Sequence, residues 1–504
     1  MFKSFQGFHL LEEVQQLKLV KRLSKQHYLK TVIALCIACI AFFTAWFVPP
    51  HLLGLGDISV IEQRVVAIFI LAVLMWILEV VPAWCTSVLI ITLLLLTVSD
   101  NSLWFLRELD PARVMGKVVN YKTLIATFAD PIIMLFLGGF ILAIAATKTG
   151  LDVLLAKVML KPFGTKSEQV LLGFILVTGF FSMFISNTAT AAMMLAFLTP
   201  VLKALPSDGK GRIALALAIP LAANIGGIGT PIGTPPNAIA LKYLNDPEGL
   251  NMNIGFGEWM SYMFPFAVVL LFISWLILRF LYPFKQKTIH LKIEGKTQKG
   301  PKAWIVYITF MVTIIMWMSD KITGVSANVI AMIPIAVFAV SGIITRRDLE
   351  EINWSVLWMV SGGFALGVAL NETGLAVRLV ESIPFGTWSP LLMILGSGLL
   401  CWIMANFISH TATASLLIPI LAVVGTSMQD QLAAFGGIQT LLIGVALSSS
   451  LSMLLPISTP PNALAHATGL IEQKEMVKTG LFAGIIGLIL GYILLITLGV
   501  HGLL

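Results

Sequence analysis

Gly233-Thr234-Pro235-Pro236-Asn237-Ala238 interrupts a stretch that is otherwise apolar enough for a membrane helix, and it returns as Ser458-Thr459-Pro460-Pro461-Asn462-Ala463. Each copy follows a polar triplet. Ser186-Asn187-Thr188 begins 48 positions before Thr234, and Ser409-His410-Thr411 begins 50 positions before Thr459. All four stretches lie in or beside strongly apolar sequence. Polar groups and helix breakers at that depth cost several kcal/mol unless they line a cavity. A chain that carries them twice, in corresponding places, is expected to build one site from two halves.

Composition sets the environment. Of 504 residues, 58% are hydrophobic and 11% charged, and the mean hydropathy is +0.94. Soluble domains carry about 25% charged residues, so this is an all-α, multi-pass membrane protein whose first partner is the lipid bilayer. The net charge of +7 comes from lysines clustered between apolar spans, not from a groove, so nucleic acid is not implied. Cys36, Cys39, Cys85 and Cys401 sit in apolar runs without metal-ligand spacing and read as small core residues.

Outward from the Pro-Pro-Asn motifs, a third landmark repeats. Leu137-Gly138-Gly139-Phe140 leads to Thr149-Gly150-Leu151, and Ser361-Gly362-Gly363-Phe364 leads to Thr373-Gly374-Leu375. The offset between copies is 224 here, 223 at the triplets and 225 at the Pro-Pro-Asn motifs. Three landmarks at one offset make residues 125–245 and 350–470 two versions of one unit. Within each, the triplet lies midway along about 38 apolar residues, which suits two helices meeting at a re-entrant tip. Downstream, the Gly226-Gly227-Ile228-Gly229-Thr230-Pro231 run and Pro456-Ile457-Ser458 must break the helix, since an interior proline costs about 3 kcal/mol.

Residues 1–30 carry six lysines and arginines with Leu10, Val14 and Leu17 at helical spacing, expected as a cytoplasmic amphipathic segment and not a cleaved signal. With the N-terminus inside, eleven spans and two hairpins entering from opposite sides leave 24 of the 32 Lys and Arg residues on the inside. Opposite entry makes the repeats inverted.

The paired triplets, the paired Thr-Pro-Pro-Asn motifs and the Gly-Gly-Phe segments resemble the divalent anion–sodium symporter family, which includes di- and tricarboxylate transporters. The resemblance covers the chain from about residue 31. It implies a homodimer in which a scaffold (31–124, 246–349 and the last span, 471–504) supports a transport domain built from the two repeats and moving as an elevator. It implies a small dicarboxylate anion as substrate and sodium as coupling ion, with no other cofactor. Carried over by motif, Asn187, Thr188, Ser409, His410 and Thr411, with Thr234, Pro235, Thr459 and Pro460, would bind substrate. A first sodium site would use Ser182, Ser186, Asn187 and the Gly233 backbone, and a second Ser409, His410 and Ser458. The residue types suit this chemistry. Hydroxyls, amides and helix N-termini bind carboxylates through neutral donors, and a hard cation takes their oxygens. For a single triplet, a helix cap explains as much.

The second half departs from the first. Ala405 stands where Ser182 stands, and His410 where Asn187 stands. Imidazole is a poor sodium ligand. His410 is open to three readings: a neutral donor to a substrate carboxylate, a group that titrates during transport, or a packed histidine without a direct role. Sodium-driven uptake of a C4-dicarboxylate such as succinate, malate or fumarate is the leading function. Exchange of di- or tricarboxylates, or a proton-linked carrier, is the alternative, and sulfate is a further substrate option. No His-Glu-x-x-His pair occurs and no acid lies near His410 in sequence, which argues against an intramembrane enzyme. Paired broken helices argue against a continuous channel.

Overall fold

A computed structural model describes residues 25–504 apart from 54–57, 79, 108–113, 206–208, 248, 290–297, 376–377 and 379–387. The amphipathic segment expected over 1–30 therefore lies outside the described residues up to position 24. Among the described residues the regular elements are all helical. In chain order the principal ones are α1 (Lys25–Phe47), α2 (Val60–Ile77), α3 (Ala83–Thr97), α4 (Pro131–Thr149), α5 (Leu151–Leu160), α6 (Ser167–Phe184), α7 (Asn187–Ala204), α8 (Lys210–Gly227) and α9 (Pro235–Leu244). They continue as α10 (Phe256–Leu281), α11 (Pro301–Met318), α12 (Met332–Val340), α13 (Trp354–Glu372), α14 (Pro390–Phe407), α15 (His410–Ser427), α16 (Gly437–Ser450), α17 (Pro460–Ala467) and α18 (Gln473–Val500).

Among the described residues, nine helices are long and apolar enough to cross a membrane, or ten if one sharply bent pair counts as a span. That number differs from the eleven spans expected because length and composition sort helices differently. Three of the nine, α6, α14 and α15, are arms of the two tips; α16 belongs to the bent pair, and α3 spans only 15 residues.

The chain divides into two compact units, residues 1–127 with 346–375, and residues 128–345 with 376–504. The first holds α1–α3 and α13. Ser59 and Glu62 form a reciprocal capping box at the start of α2. The helix then uses its buried polar residues to close its neighbours' ends. Gln63 Nε2 donates to the carbonyls of Ala45, Trp46 and Val48 at the end of α1. Arg64 donates to Thr97 O at 2.7 Å and Leu106 O at 2.8 Å while its guanidinium lies over the Trp46 ring. Each orphan carbonyl at a helix end needs such a partner when water is excluded.

The Gly-Gly-Phe segments are packing surfaces. In the first unit a Cβ on Gly362 would lie 2.3 Å from Ser87 Cβ, so α13 and α3 touch at backbone range, and Ser87 Oγ donates to Met359 O. In the second unit a Cβ on Gly138 of α4 would lie 2.4 Å from Ala331 O, just ahead of α12. Small residues allow this approach where apolar packing in lipid must come from close contact. The two units do not coincide with the two sequence repeats, because α13, at the head of the second repeat, belongs to the first unit.

The second unit holds both tips and both broken helices. Asp130 caps α4 through Ile132 N, and Pro131 takes its first position; Gly150, with φ 71°, ends it. The Asp130 carboxylate also receives Lys242 Nζ at 2.6 Å, tying the start of α4 to the end of α9. Gly362→Ala is expected to lower unfolding stability by about 1–3 kcal/mol through overpacking. Gly396→Ala, whose Cβ would meet only Leu392 Cδ1 at 3.8 Å, should be neutral or gain up to about 1 kcal/mol of helix propensity. Thermal unfolding of the two variants in one detergent checks the contrast.

Candidate functional site

The two tips share one backbone geometry. α6 ends at Phe184, Ile185 is extended (φ −120°, ψ 149°), and α7 starts at Asn187. α14 ends at Phe407, Ile408 is extended (φ −119°, ψ 161°), and α15 starts at His410. Ser186 and Ser409 cap the new helices, accepting from Ala189 N and Ala412 N. Ser186 was expected among the sodium ligands; its hydroxyl works first as an N-cap.

The breaks are equally alike. α8 stops at Gly227, and α9 restarts after Thr234 (φ −148°, ψ 141°) with prolines at its first positions. α16 stops at Ser450, and α17 restarts after Thr459 (φ −143°, ψ 148°) in the same way. Proline costs nothing at these positions, where its missing N–H would have no helical acceptor.

What holds the breaks is the asparagine that follows the prolines. Asn237 Nδ2 donates to the carbonyls of Gly227, Ile228 and Thr230. Asn462 Nδ2 donates to those of Met453 and Leu455 and to Ser458 Oγ. Ile228 and Thr230 plus the repeat offset of 225 are Met453 and Leu455, so the clamp is the same in both copies. Both side chains are fully buried. In the sequence these asparagines stand out as landmarks without a function; their recurrence beside each helix break was the available signal.

In the first half, the expected ion ligands meet. Ser182 Oγ lies 2.6 Å from one terminal atom of the Asn187 amide and donates to Ala223 O at 2.7 Å. The same amide atom lies 2.9 Å from Gly233 O and 3.3 Å from Ala223 O. An oxygen there would face only acceptors, so the atom is the amide nitrogen, and it donates to all three neighbours. The approach requires glycine: a Cβ on Gly233 would lie 2.4 Å from Gly227 O, and one on Gly226 2.2 Å from Gly179 O. Ala223 O is a ligand candidate that the sequence could not signal, because a carbonyl is available at every residue.

In the second half, the equivalent positions are closed. Ala405 is fully buried and brings no hydroxyl. His410 Nε2 lies 2.6 Å from Ser452 O, and Ser449 Oγ donates to His410 O. Ser458, expected as a ligand, donates its hydroxyl to Leu455 O at 2.6 Å. Asn406, which no sequence motif marks, braces this tip by accepting from Leu454 N.

The halves are joined at their centre. Asn224 Nδ2 in α8 reaches Thr459 Oγ1 and Asn462 Oδ1, each at 3.2 Å. The second-half break is thereby tied to the first half's helix. Thr188, Pro235, Thr411 and Pro460 sit in the first turns of α7, α9, α15 and α17, and Thr234 and Thr459 just ahead of α9 and α17. The site residues are neutral, and no cluster of three or more His, Cys, Asp or Glu side chains is found among the described residues. Such a site offers N–H dipoles and hydroxyls to an anion, and oxygens to a hard cation.

A model of the citrate transporter family (CitMHS) matches residues 73–436. The chain belongs to this family. It is 30% identical over 468 residues to the sodium-dependent dicarboxylate transporter SdcS of Staphylococcus saprophyticus, with 84% of each chain covered. It is also 30% identical over 470 residues to the SdcS protein of Staphylococcus aureus. Among solved structures, the YdaH transporter of Alcanivorax borkumensis matches in fold, with a TM-score of 0.53 at 14% identity over 84% of this chain and 99% of that one. The family places the chain among multi-pass membrane transporters and not among enzymes, in line with the divalent anion–sodium symporter resemblance.

The clamp makes a prediction independent of transport. Asn237→Ala and Asn462→Ala orphan buried carbonyls at about 1–3 kcal/mol for each group left unsatisfied, so each should lower stability by at least about 2 kcal/mol. Thr188→Ala, at a half-buried first-turn position, should remain within about 0.5 kcal/mol of wild type. Unfolding measured without sodium or dicarboxylate separates the two classes.

Proposed function

We propose that this transporter carries a C4-dicarboxylate such as succinate, malate or fumarate across the cell membrane by sodium symport. The observation that carries this reading is the first-half cluster, in which Ser182 Oγ, the Asn187 amide, Ala223 O and Gly233 O meet at the tip. Without an ion the Asn187 nitrogen donates to the three oxygens around it. Turning the amide over would offer its own oxygen beside them, a set of oxygen ligands that suits sodium. Ion binding and the amide orientation are thereby linked. The names of the SdcS relatives agree with sodium and a dicarboxylate.

The dicarboxylate sits against the N-terminal ends of α7, α9, α15 and α17. Thr188, Thr411, Thr234 and Thr459 offer hydroxyls there, beside Pro235, Pro460 and Ser409. Neutral donors and helix dipoles hold two carboxylates without a buried cationic side chain that would have to be desolvated on each cycle. Sodium beside the first tip adds positive charge where one carboxylate lies. We place the N-terminus in the cytoplasm and treat the repeats as inverted, with the two tips entering from opposite sides. The transport domain then moves against the scaffold as an elevator within a homodimer.

Exchange of one dicarboxylate for another is the second reading, favoured by the closed second half at His410. Uptake into proteoliposomes containing only this protein distinguishes the two. Symport predicts accumulation of labelled succinate driven by an inward sodium gradient and absent with choline. A requirement for internal dicarboxylate with indifference to sodium would establish exchange. Ser182→Ala and Asn187→Ala should each raise the sodium concentration for half-maximal uptake roughly tenfold or more, since a hydrogen bond or ligand to a charge is worth about 1.5–3 kcal/mol.

A further inference from the structure

The repeat offset turns the first-half cluster into a template for the second. Ser182, Asn187, Ala223 and Gly233 correspond to Ala405, His410, Ser448 and Ser458, and Gly227, whose carbonyl is held by Asn237, corresponds to Ser452. If the halves were chemically equal, the second would hold a cation at the matching point. Instead, its tip carries an imidazole that, unlike the Asn187 amide, has no oxygen to turn toward an ion. His410 Nε2 lies 2.6 Å from Ser452 O, a separation that requires the proton on that nitrogen because a carbonyl can only accept. The Ser452 hydroxyl lies 2.8 Å from Trp402 O and 2.9 Å from Ser448 O, the counterpart of the Ala223 carbonyl, with one proton to share between them. The Ser458 hydroxyl is turned to Leu455 O. Ala405 leaves nothing where Ser182 places its oxygen.

We infer that the imidazole N–H of His410 stands in for a second coupling ion, so that the second half-site is permanently closed by protein and only the first half takes sodium. The imidazole N–H is given to a backbone oxygen of the broken helix, Ser452 O, and the ring offers no oxygen in exchange. The tip is then held in its assembled shape whether or not sodium is present. Ser449 Oγ reinforces this by donating to His410 O from α16, the helix that supplies the break. His410 is thus a residue that sets ion number, and Ala405 is its necessary companion, since a serine there would restore an oxygen beside the imidazole.

This inference rests on the symport reading for its simplest measurement but fails separately from it. Reconstituted full-length protein is assayed for the sodium dependence of initial succinate uptake, comparing wild type, Ala405→Ser and the double variant Ala405→Ser/His410→Asn. Ala405→Ser alone should keep the wild-type sodium order, because the imidazole still fills the site. The double variant should gain about one unit in Hill coefficient over wild type. An active double variant with an unchanged sodium order would overturn the inference, as would Ala405→Ser alone raising it. If wild-type uptake ignores sodium altogether, the symport reading fails. The inference is then decided by whether the double variant acquires sodium dependence or does not. Should the double variant fail to fold, equilibrium binding of radioactive sodium to the wild-type protein decides the matter: one ion per chain supports the inference, and two or more contradict it.

Discussion

Everything at the centre of this transporter depends on one interaction made twice: a buried asparagine amide holding the carbonyls of an unwound helix. A break in the middle of a membrane helix releases backbone groups into a medium with no water to receive them. Asn237 and Asn462 take up those groups directly after the prolines that prevent the helix from continuing. The break becomes a rigid, repeatable element. Only with the loop so fixed can Gly233 present its carbonyl to Asn187 at the first tip, and only then can α9 and α17 point their N-terminal ends toward the site.

A shared scaffold has allowed the two halves to diverge. Tip conformations agree closely, with Ile185 and Ile408 within a few degrees in φ, and the clamps map onto one another through a single offset. The side chains set on this frame differ. The first half matches its acceptors with an amide that could turn an oxygen toward an ion, and the second with an imidazole that has none. Asn224, bridging to Thr459 and Asn462, ties the halves together at their contact.

Much of this was legible in the sequence because membrane burial makes every polar residue informative. The duplication, the two breaks and the two tips followed from motifs that would be too costly to retain in lipid without a purpose, and the meeting of Ser182, Asn187 and Gly233 followed from the family resemblance those motifs carry. The unusual chemistry of Ala405 and His410 was visible by aligning the repeats. Two features were not legible. Ala223 O escaped because a carbonyl has no sequence signature. The partner of His410 escaped because Ser452, 42 positions away, meets the ring through its backbone. Ser186 and Ser409 illustrate a different limit: a hydroxyl at a helix start serves as cap and as potential ligand with the same atom.

The most direct test of the central claim is an experimental structure of the protein determined in sodium with succinate bound. The account predicts one ion within ligand distance of Ser182 Oγ, Asn187 Oδ1, Ala223 O and Gly233 O, succinate against the first turns of α7, α9, α15 and α17, and His410 still donating to Ser452 O. An ion beside His410, or a first cluster that stays closed with the Asn187 nitrogen turned inward at saturating sodium, would contradict it.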